Sequence, residues 1–550
     1  MTRDPLTQLS TRTTPQTERA DVRQTRNNAG GFTFRVTPWT RLDRFLTLGV
    51  DGGSYYVEAR PLALDNLVNV RDLIALEPIE VVRRIVEISE SGRAPRQQPG
   101  LFTLAAVYGL ANVEGRRAAE HALPRVARTG STLKTFVRYV EQFRGWGPTL
   151  RRGVSDWYLN QDVADLAYQA VKYRTRADWS DRDVLRVAHP KPAKDDVYRR
   201  ELFDWMCGRP NERLGRNSHA GDGDDPLRVV EGFEQLKRAE RAPDVARLVG
   251  EYRLPWEAIP DRWLNDVTVL GALVDAGMPP TALMRQLPRL TNAGVLTGDR
   301  LRVVADRLAD AERLRRGRVH PISALLAMST YASGHSFRGS TTWRPITRVV
   351  DALDAAFYAA FDAVEPTDAR FLLALDVSSS MTNHRVADTN LSAREVAAAM
   401  TLITLRTEAN CEVVGFTSGQ TGGMYDGYNS VTPLTLSPRQ RLDDVVAYTR
   451  RLSFGATDCA LPMLYALERK LEVDAFVIYT DNETWAGDVH PHEALRRYRN
   501  QVNPRARLIA VGATATNYTV ADPDDAGQLD VSGFDAEVPN LINNFVRGEI

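Results

Sequence analysis

The hydrophobic pattern of this chain changes its period once, near Glu365–Asp368, and that change decides what the chain can fold into. Between Thr40 and Phe361 apolar residues recur at helical spacing, in short runs that Gly and Pro separate. After Asp368, apolar runs of strand length alternate with amphipathic helical segments. The sequence therefore predicts a helical N-terminal part and an α/β C-terminal part.

The helical part is predicted to be an α-solenoid of stacked helix pairs rather than one bundle. Many short helices joined by tight turns favour that architecture, although no repeat period emerges from counting. A chain of 550 residues is also too long for a single core. We predict a flexible N-terminal arm over residues 1–28, which lack apolar periodicity, a helical domain over 29–365 and an α/β domain over 366–550.

The segment FLLALDVSSSM, residues 371–381, predicts the main candidate site of the C-terminal domain. Its apolar half is typical of a strand that is buried on both faces of a doubly wound parallel sheet. Asp376, Ser378 and Ser380 follow at the end of that strand, where such sheets bind ligands. Asp481 follows a second apolar strand, and Thr457 lies in the sequence between them. The carboxylate of Asp376 and the two serine hydroxyls suit a hard divalent cation, and the three loops are expected to meet at one edge of the sheet.

This segment is open to three other interpretations. A phosphotransferase needs a second carboxylate where Ser378 stands and a lysine in the site, and a serine hydrolase needs a G-x-S-x-G turn and a histidine base. Neither DVSSSM nor YTDNE supplies those groups. In a simpler interpretation, Asp376 only caps the next helix and the serines satisfy the loop backbone. The combination of D-x-S-x-S, G-x-T-D and T-D after a strand argues against it.

The net charge of zero hides a division between the two parts. Residues 366–550 hold 16 Lys and Arg against 24 Asp and Glu, a net charge of −8, so the totals of 70 and 70 leave 54 against 46, or +8, for residues 1–365. A solvated helical surface explains this excess as well as a nucleic-acid site does. No apolar stretch is long enough to span a membrane, and the three cysteines show no metal-ligand spacing, so we predict a cytoplasmic protein without a membrane partner.

In their order along the chain, the C-terminal motifs resemble the metal-ion-dependent adhesion site of von Willebrand factor A domains. That resemblance implies a Mg²⁺ or Mn²⁺ ion, held directly or through water, and a partner's carboxylate that completes its coordination. The implied ligands are Asp376, Ser378, Ser380, Thr457 and Asp481. A metal-dependent protein-adhesion module on a helical scaffold is therefore an alternative function, and a hydrolase using Asp376 ranks last.

The N-terminal two-thirds resembles the TROVE module of Ro ribonucleoproteins in five segments, NNAGGF, RLDRFLTLGVDGGSYY, RGWGPTLRRGVSDWY, KYRTRADWSDRDVLRVAHPKP and MPPTALMRQL. The resemblance implies HEAT-like repeats closed into a ring and joined by the A domain. It implies a non-enzymatic protein that binds small noncoding Y RNA on the outer surface of the ring. The ring hole is expected to admit single-stranded 3′ ends of misfolded or damaged RNA.

The same resemblance implies a role in RNA quality control and stress survival. A 3′ exoribonuclease such as polynucleotide phosphorylase is the implied protein partner, and the free protein is expected to be a monomer. Ser379 stands where the family has glycine, at a position that is not a metal ligand.

The candidate RNA-binding residues lie between Arg151 and Lys191. In VADLAYQAVKYRTR, Lys172 and Arg176 are four apart and are expected on one exposed helix face, away from the buried stripe. Alone such a pair indicates a solvated surface, whereas beside the TROVE motifs it indicates RNA contact. The full set is Lys172, Arg176, His189, Lys191, Arg151 and Arg152, with the two arginines of RLDRF, Arg41 and Arg44, as weaker candidates.

Overall fold

A computed structural model describes most of the chain. The described residues are 13–48, 51–52, 59–60, 68–94, 96–209, 225–336, 339–361, 364–383, 386, 391–418, 431–452, 455–513 and 516–549. Residues 1–12 of the predicted arm and most of the GVDGGSYY segment lie outside these ranges.

Short helices make up the N-terminal domain, as the period of its apolar residues predicts. Proline opens several of them and left-handed glycines end α3 and α17, where Gly92 and Gly334 adopt φ of 77° and 73°. The helices are α1 (Pro38–Leu48), α2 (Val68–Leu76), α3 (Pro78–Ser91), α4 (Gln98–Leu110), α5 (Val113–Val126), α6 (Gly130–Val140), α7 (Pro148–Asn160), α8 (Val163–Lys172), α9 (Asp181–Ala188), α10 (Val197–Met206), α11 (Arg228–Leu236), α12 (Ala242–Tyr252), α13 (Val267–Asp275), α14 (Pro280–Asn292), α15 (Gly298–Ala309), α16 (Ala311–Arg316), α17 (Pro321–Ser333) and α18 (Thr347–Ala359).

These helices stack as a solenoid. Many of them pack on the next helix in the chain or on the one after it: α3 packs on α4 and α5, α4 packs on α5 and α6, and α5 packs on α7. A continuous apolar core runs along the stack. Four short strands accompany the helices: β3 (Asp51–Gly52) pairs with β4 (Ala59–Arg60), and β5 (Thr175–Arg176) pairs with β6 (Trp179–Ser180). The predicted α-solenoid is confirmed.

The C-terminal domain is a doubly wound α/β domain, also as predicted. Its sheet has the order β13-β11-β10-β7-β8-β9, parallel except for the antiparallel edge strand β9. Its elements are β7 (Arg370–Asp376), α19 (Ser379–Asn383), α20 (Ala393–Thr407), β8 (Asn410–Phe416), β9 (Val431–Pro433), α21 (Leu442–Arg450), α22 (Leu461–Glu468), β10 (Ala475–Thr480), α23 (Pro491–Gln501), β11 (Arg507–Gly512), β13 (Gln528–Ser532) and α24 (Val538–Arg547).

Strand β7 is central and buried on both faces. Leu373 and Leu375 join the apolar cluster that continues into the solenoid, whereas Leu372 and Ala374 join a separate cluster on the other face. The chain leaves β7 toward β8 on one side and later returns to β10 on the other. The topological switch point therefore lies between β7 and β10, where ligand sites of such sheets form.

The two ends of the solenoid meet each other and the C-terminal domain. His320, at the start of α17, places Nε2 3.3 Å from the carbonyl oxygen of Arg93, which follows α3. Arg44 of α1 binds Asp530 of β13 at 2.7 Å, and Asp354 of α18 accepts a hydrogen bond from the Leu442 amide of α21 at 2.9 Å. The helical path is thus closed, and the C-terminal domain bridges its first and last helices.

The predicted flexible arm over residues 1–28 needs correction where the structure describes it. Residues 13–28 pack against the C-terminal domain, and β1 (Gln24–Arg26) and β2 (Phe32–Arg35) form a three-stranded sheet with β12 (Tyr518–Thr519). The Gln16 side chain is fully buried and donates to Asp458 Oδ1 at 2.7 Å and to the Val489 carbonyl at 2.8 Å. The segment is held by polar contacts, which leave no apolar period in its sequence.

None of the helices in the described ranges combines the length and apolar character needed to cross a membrane.

The closure at His320 predicts an acid-sensitive fold. His320 is buried, its Nδ1 accepts from the Ile322 amide at 3.1 Å, and burial lowers its pKa to about 4. The unfolded chain protonates near pH 6.5, so the neutral form stabilises the fold fully above that pH, and about 3 kcal/mol is lost as the pH falls from 6.5 toward 4. We expect His320→Asn, which keeps the cap acceptor, to shrink the drop in melting temperature between pH 7 and pH 5. The exposed His121 gives the control, since His121→Asn should leave that drop unchanged.

Candidate functional site

The predicted metal ligands meet at the carboxyl ends of β7 and β10. Asp376 ends β7 and Asp481 follows β10, and both carboxylates are fully buried. The Ser378 and Ser380 hydroxyls lie 2.9 Å apart, and the Ser380 hydroxyl hydrogen-bonds to Asp481. The loop after β7 is fixed by the Ser378 amide, which donates to Asp376 Oδ1 at 2.9 Å. Two carboxylates and two hydroxyls are thus within one pocket of the switch point.

Thr457 is buried beside them, on the loop before α22. Its carbonyl oxygen accepts the amides of Trp485 and Ala486 at 3.1 Å each, which ties this loop to the loop after β10. The neighbouring Asp458 is also buried, and burial raises its pKa to about 6. Three loops therefore surround the site, as the positions of the motifs predict.

The electrostatics of the site suit a cation. Burial, followed by the charge of Asp376, raises the pKa of Asp481 to about 8, and burial raises the pKa of Asp376 as well. Two adjacent buried carboxylates cannot both ionise cheaply, and a divalent ion between them would remove that cost. Within the described residues no group of three or more His, Cys, Asp or Glu side chains is placed to hold a metal. The possible metal ligands at the switch point are the carboxylate and hydroxyl oxygens described above, and Mg²⁺ and Mn²⁺ prefer such oxygen ligands.

A buried arginine supports the loop that carries the serines. Arg394 of α20 is 1% exposed and donates to the carbonyls of Val377 and Ser378, the latter at 3.2 Å. It also donates to the carbonyls of Thr449 at 3.2 Å and Leu452 at 3.3 Å, at the end of α21. The position of the predicted metal loop thus depends on a residue that its motif does not contain.

Lys172 and Arg176 are brought together, but not on one helix face as the sequence predicts. Helix α8 ends at Lys172, and Arg176 lies in the hairpin β5–β6, whose turn residues Ala177 and Asp178 have φ of 50° and 66°. The two cations meet instead on the ring of Tyr173, with Lys172 Nζ 5.2 Å and Arg176 Cζ 5.6 Å from its centroid. The helix-face prediction is wrong because the chain turns directly after Lys172.

Lys172 is also less exposed than predicted. Its side chain is 13% exposed, and Nζ lies 3.8 Å from Glu257 Oε1 and 5.7 Å from the Tyr168 ring centroid. Burial opposes its charge, but Tyr173, Tyr168 and Glu257 together raise its pKa, so the ammonium stays protonated. Lys172 is a partly covered cation beside Glu257.

The other candidates are exposed. His189 ends α9 in a left-handed conformation with φ of 52°, after a helix that Ser180 caps, and Lys191 follows it on the surface. Arg151 and Arg152 project from α7, but Arg152 is occupied by Glu120, with Nη2 and Oε2 2.8 Å apart. Arg44 is fully buried and belongs to the domain contact described above, so its assignment as a weak RNA candidate is wrong.

Sequence reasoning missed a basic cavity beside this region. The cavity has a volume of about 600 Å³. Arg174 Cζ and Lys237 Nζ lie 5.0 Å and 4.7 Å from the centroid of Phe233, and Glu234 accepts from Lys237 at 2.6 Å. Five cations line it: Arg174, Arg182, Arg209, Lys237 and Arg238. Arg174 lies in the segment KYRTR, between Lys172 and Arg176. Lys237 and Arg238, which directly follow α11, are distant from that segment in the sequence.

Comparisons with known proteins agree across the chain. A family model described as TROVE domain matches residues 25–330, and one described as Ro60 vWA domain matches residues 370–546. The chain is 43% identical to the protein named RNA-binding protein RO60 of Deinococcus radiodurans over 542 residues, which covers 98% of both chains. It is 33% identical to the protein of the same name in Caenorhabditis elegans over 602 residues, covering 97% of this chain and 92% of that one.

The solved structures give the same match. The crystal structure of the Deinococcus radiodurans RO (RSR) protein has a TM-score of 0.69 and 41% identity with this chain, and it covers 94% of this chain and 100% of that chain.

Arg394 supplies a prediction on stability. Arg394→Met keeps most of the side-chain length but leaves buried carbonyls without their donor and Asp376 without its neighbouring cation. We expect the free energy of unfolding of the C-terminal domain to fall by about 3–5 kcal/mol, measured by urea denaturation. The exposed Arg439 provides the same substitution at the surface, where Arg439→Met should change that free energy by no more than about 0.5 kcal/mol. Equal midpoints for the two variants would contradict the role given to Arg394.

Proposed function

This chain belongs to the RO60 family of RNA-binding proteins, and on that premise we propose that it binds structured small RNA through the basic surface around α8 to α11. The observation that carries the proposal is the convergence of Lys172 and Arg176 on Tyr173, beside a cavity lined by five further cations. Cations bind the phosphate backbone, and aromatic rings favour stacked bases or guanidinium groups.

The proposed RNAs are of two kinds. Small noncoding Y RNA binds on the outer surface of the ring, and single-stranded 3′ ends of misfolded or damaged RNAs enter its hole. The closed helical path, with His320 against Arg93, supports a ring that can hold a strand. The protein acts in RNA quality control and stress survival, and its binding is mainly to phosphates and RNA shape.

We propose that the protein has no nuclease activity of its own. Two carboxylates meet at the switch point, on the acidic domain, whereas phosphodiester cleavage by two metal ions needs a shared set of acidic ligands close to the bound RNA. Degradation then belongs to a partner, a 3′ exoribonuclease such as polynucleotide phosphorylase. The three cysteines are free, which supports action in a reducing cytoplasm. We also propose that the protein is a monomer when no RNA is bound.

The C-terminal domain is proposed to hold Mg²⁺ or Mn²⁺. Asp376, Ser378, Ser380, Thr457 and Asp481 would hold the ion, which when bound supplies a positive centre for the carboxylate of a partner protein. Asp376 and Asp481 contribute the negative charge, and the serine hydroxyls orient toward them in the buried pocket. This site is a place for docking and not for chemistry.

The double variant Lys172→Ala with Arg176→Ala tests the RNA surface. We expect weaker binding of a structured small RNA, and a plot of log K against log salt whose slope falls by about 1–2, because phosphate contacts release counterions. The measurement is filter binding over a series of salt concentrations.

The control removes the same charge elsewhere. Arg302 and Arg316 are 55% and 78% exposed on α15 and α16, and Arg302→Ala with Arg316→Ala should leave affinity and slope unchanged. Identical curves for wild type and the Lys172 variant would refute the assignment. The alternative function, a protein-adhesion module on a helical scaffold, predicts that the protein purified from cells carries no discrete small RNA.

The variant Asp376→Ala tests the metal site. We expect wild type to gain thermal stability on addition of Mg²⁺ or Mn²⁺, since a ligand that binds only the folded state stabilises it, and the variant to lose that gain while keeping its RNA affinity. Asp444→Ala removes an exposed carboxylate of α21 and should behave as wild type. A variant that keeps the full metal response would show that the ion, if bound, lies elsewhere.

A further inference from the structure

A second, smaller cavity shares no lining residue with the five-cation cavity, and its Glu257 lies 3.8 Å from Lys172. It has a volume of about 230 Å³, smaller than the pockets of about 300–1,000 Å³ that hold drug-sized ligands, and so suits one small planar group. Tyr168 of α8 and Trp256 line it together with apolar side chains, and Arg253 is exposed where it reaches the surface. The remaining lining residues are Leu254, Pro255, Glu257, Leu273, Ala276, Gly277, Met278 and Pro279.

Glu257 is the acidic side chain of this lining, and one of its two carboxylate oxygens accepts no hydrogen bond from any residue that the structure describes. Glu257 Oε1 lies 3.8 Å from Lys172 Nζ, an ion pair longer than a hydrogen bond. Glu257 Oε2 is buried, and no donor among the described residues binds it. A buried carboxylate oxygen without a donor is costly, so the cavity favours a ligand that brings N–H groups.

The order of donors and acceptors narrows the ligand. The carboxylate of Glu257 can only accept, and the ammonium of Lys172 beside it can only donate. A ligand that fits must therefore present an acceptor next to two adjacent donors. The Watson–Crick edge of guanine does so, with O6 beside N1–H and N2–H. Uracil places a carbonyl on each side of its one N–H, and adenine and cytosine each offer only one donor group, so all three fit less well.

The lining also suits a nucleobase. Single-stranded RNA is recognised by bases that leave the stack, lie on aromatic rings and bond through their Watson–Crick edges. Tyr168 and Trp256 supply the rings, and the exposed Arg253 at the mouth suits a phosphate. A metal ion would find a single carboxylate with a cation beside it, which is a poor site.

We propose that this cavity receives an unpaired guanine base, with Glu257 accepting from N1–H and N2–H; Lys172, which is not part of the lining but lies 3.8 Å from Glu257, donates to O6 from beside it. The proposal rests on the RNA-binding function proposed above and adds a base preference to it. Guanine can come from a bound RNA or from a free nucleotide, and the two sources are separable by experiment.

The test uses the full chain and labelled oligouridine strands of equal length that carry one central guanine, inosine, adenine or uracil. Fluorescence anisotropy should show guanine bound about tenfold more tightly than adenine or uracil, as for a bidentate base contact, with inosine between them because it lacks the N2 amino group. The inosine comparison needs no variant and so does not depend on a folded mutant. Unlabelled GMP and AMP are then added as competitors.

The variant Glu257→Gln should reduce the preference for guanine to about twofold or less, because the amide offers one acceptor where the carboxylate offers two. Glu251→Gln is the matched control, since Glu251 lies on α12, accepts from Arg247 at 2.6 Å and does not line the cavity. If GMP but not AMP displaces the labelled guanine strand, at an affinity typical of a nucleotide site, the natural ligand of the cavity is a free nucleotide. If only guanine-bearing strands displace it, the natural ligand is RNA.

Two results overturn the proposal, and they differ from a failure of the proposed function. Equal affinity of wild type for all four strands, with normal salt dependence, would leave RNA binding intact and remove the guanine site. A preference for guanine that Glu257→Gln keeps would place its origin elsewhere. Absence of binding to every strand and to structured RNA would remove both proposals together.

Discussion

The ion pair between Arg44 and Asp530 holds the first helix of the solenoid against the edge of the A-domain sheet. Its side chains are 0% and 16% exposed, so burial of the guanidinium has a large desolvation cost, which the hydrogen bonds of its two terminal nitrogens offset although Nε has no partner among the described residues. The terminal nitrogens bind both Asp530 oxygens at 2.7 Å and the carbonyls of Thr516 and Tyr518 at 2.6 Å and 2.8 Å. In a solenoid each repeat contacts only its neighbours, so nothing in the stacking itself brings the last helix back to the first. Two contacts outside the stacking do so: His320 meets the Arg93 carbonyl, and the A domain holds α1 through Arg44 and α18 through Asp354.

Much of this fold can be predicted from the sequence because its apolar residues follow the period of each element. The helical period before Glu365 and the strand runs after Asp368 give the two architectures, and buried strands such as β7 read as continuous apolar runs. The carboxylates at the ends of β7 and β10 could be located for the same reason: strand ends follow directly from the pattern. What the pattern cannot contain is a partner that is distant in sequence. Gln16 is buried by Asp458 and Val489, and Arg44 by Asp530, so both look like exposed polar residues until the fold is known.

The pairing of Lys172 with Arg176 is predicted from a geometry that the structure does not have. The spacing of four residues predicts that Lys172 and Arg176 share a helix face. The chain instead forms a hairpin turn in which Ala177 and Asp178 are both left-handed. Neither residue is Asn or Gly, the residues that most often signal such a turn in a sequence. The two cations are nevertheless close to each other, because both make cation–π contacts with the ring of Tyr173. Lys172 also pairs with Glu257, which lies 85 positions later in the chain. Glu257 belongs to a short 3-10 turn that the hydrophobic period of the sequence does not predict.

The loop that carries Ser378 and Ser380 is supported by the solenoid as well as by its own sheet. Asp354 of α18 accepts the Leu442 amide and so fixes the start of α21. The end of that helix offers the carbonyls of Thr449 and Leu452 to Arg394, whose other donors hold the carbonyls of Val377 and Ser378. Each step is a direct hydrogen bond to a buried or partly buried group, and such groups cannot lose a partner without a cost of about 1–3 kcal/mol. Because one arginine joins the end of α21 to the loop of Ser378 and Ser380, we expect a shift of α21 to move that loop. The geometry of the A-domain site is therefore set partly by where the helical ring ends.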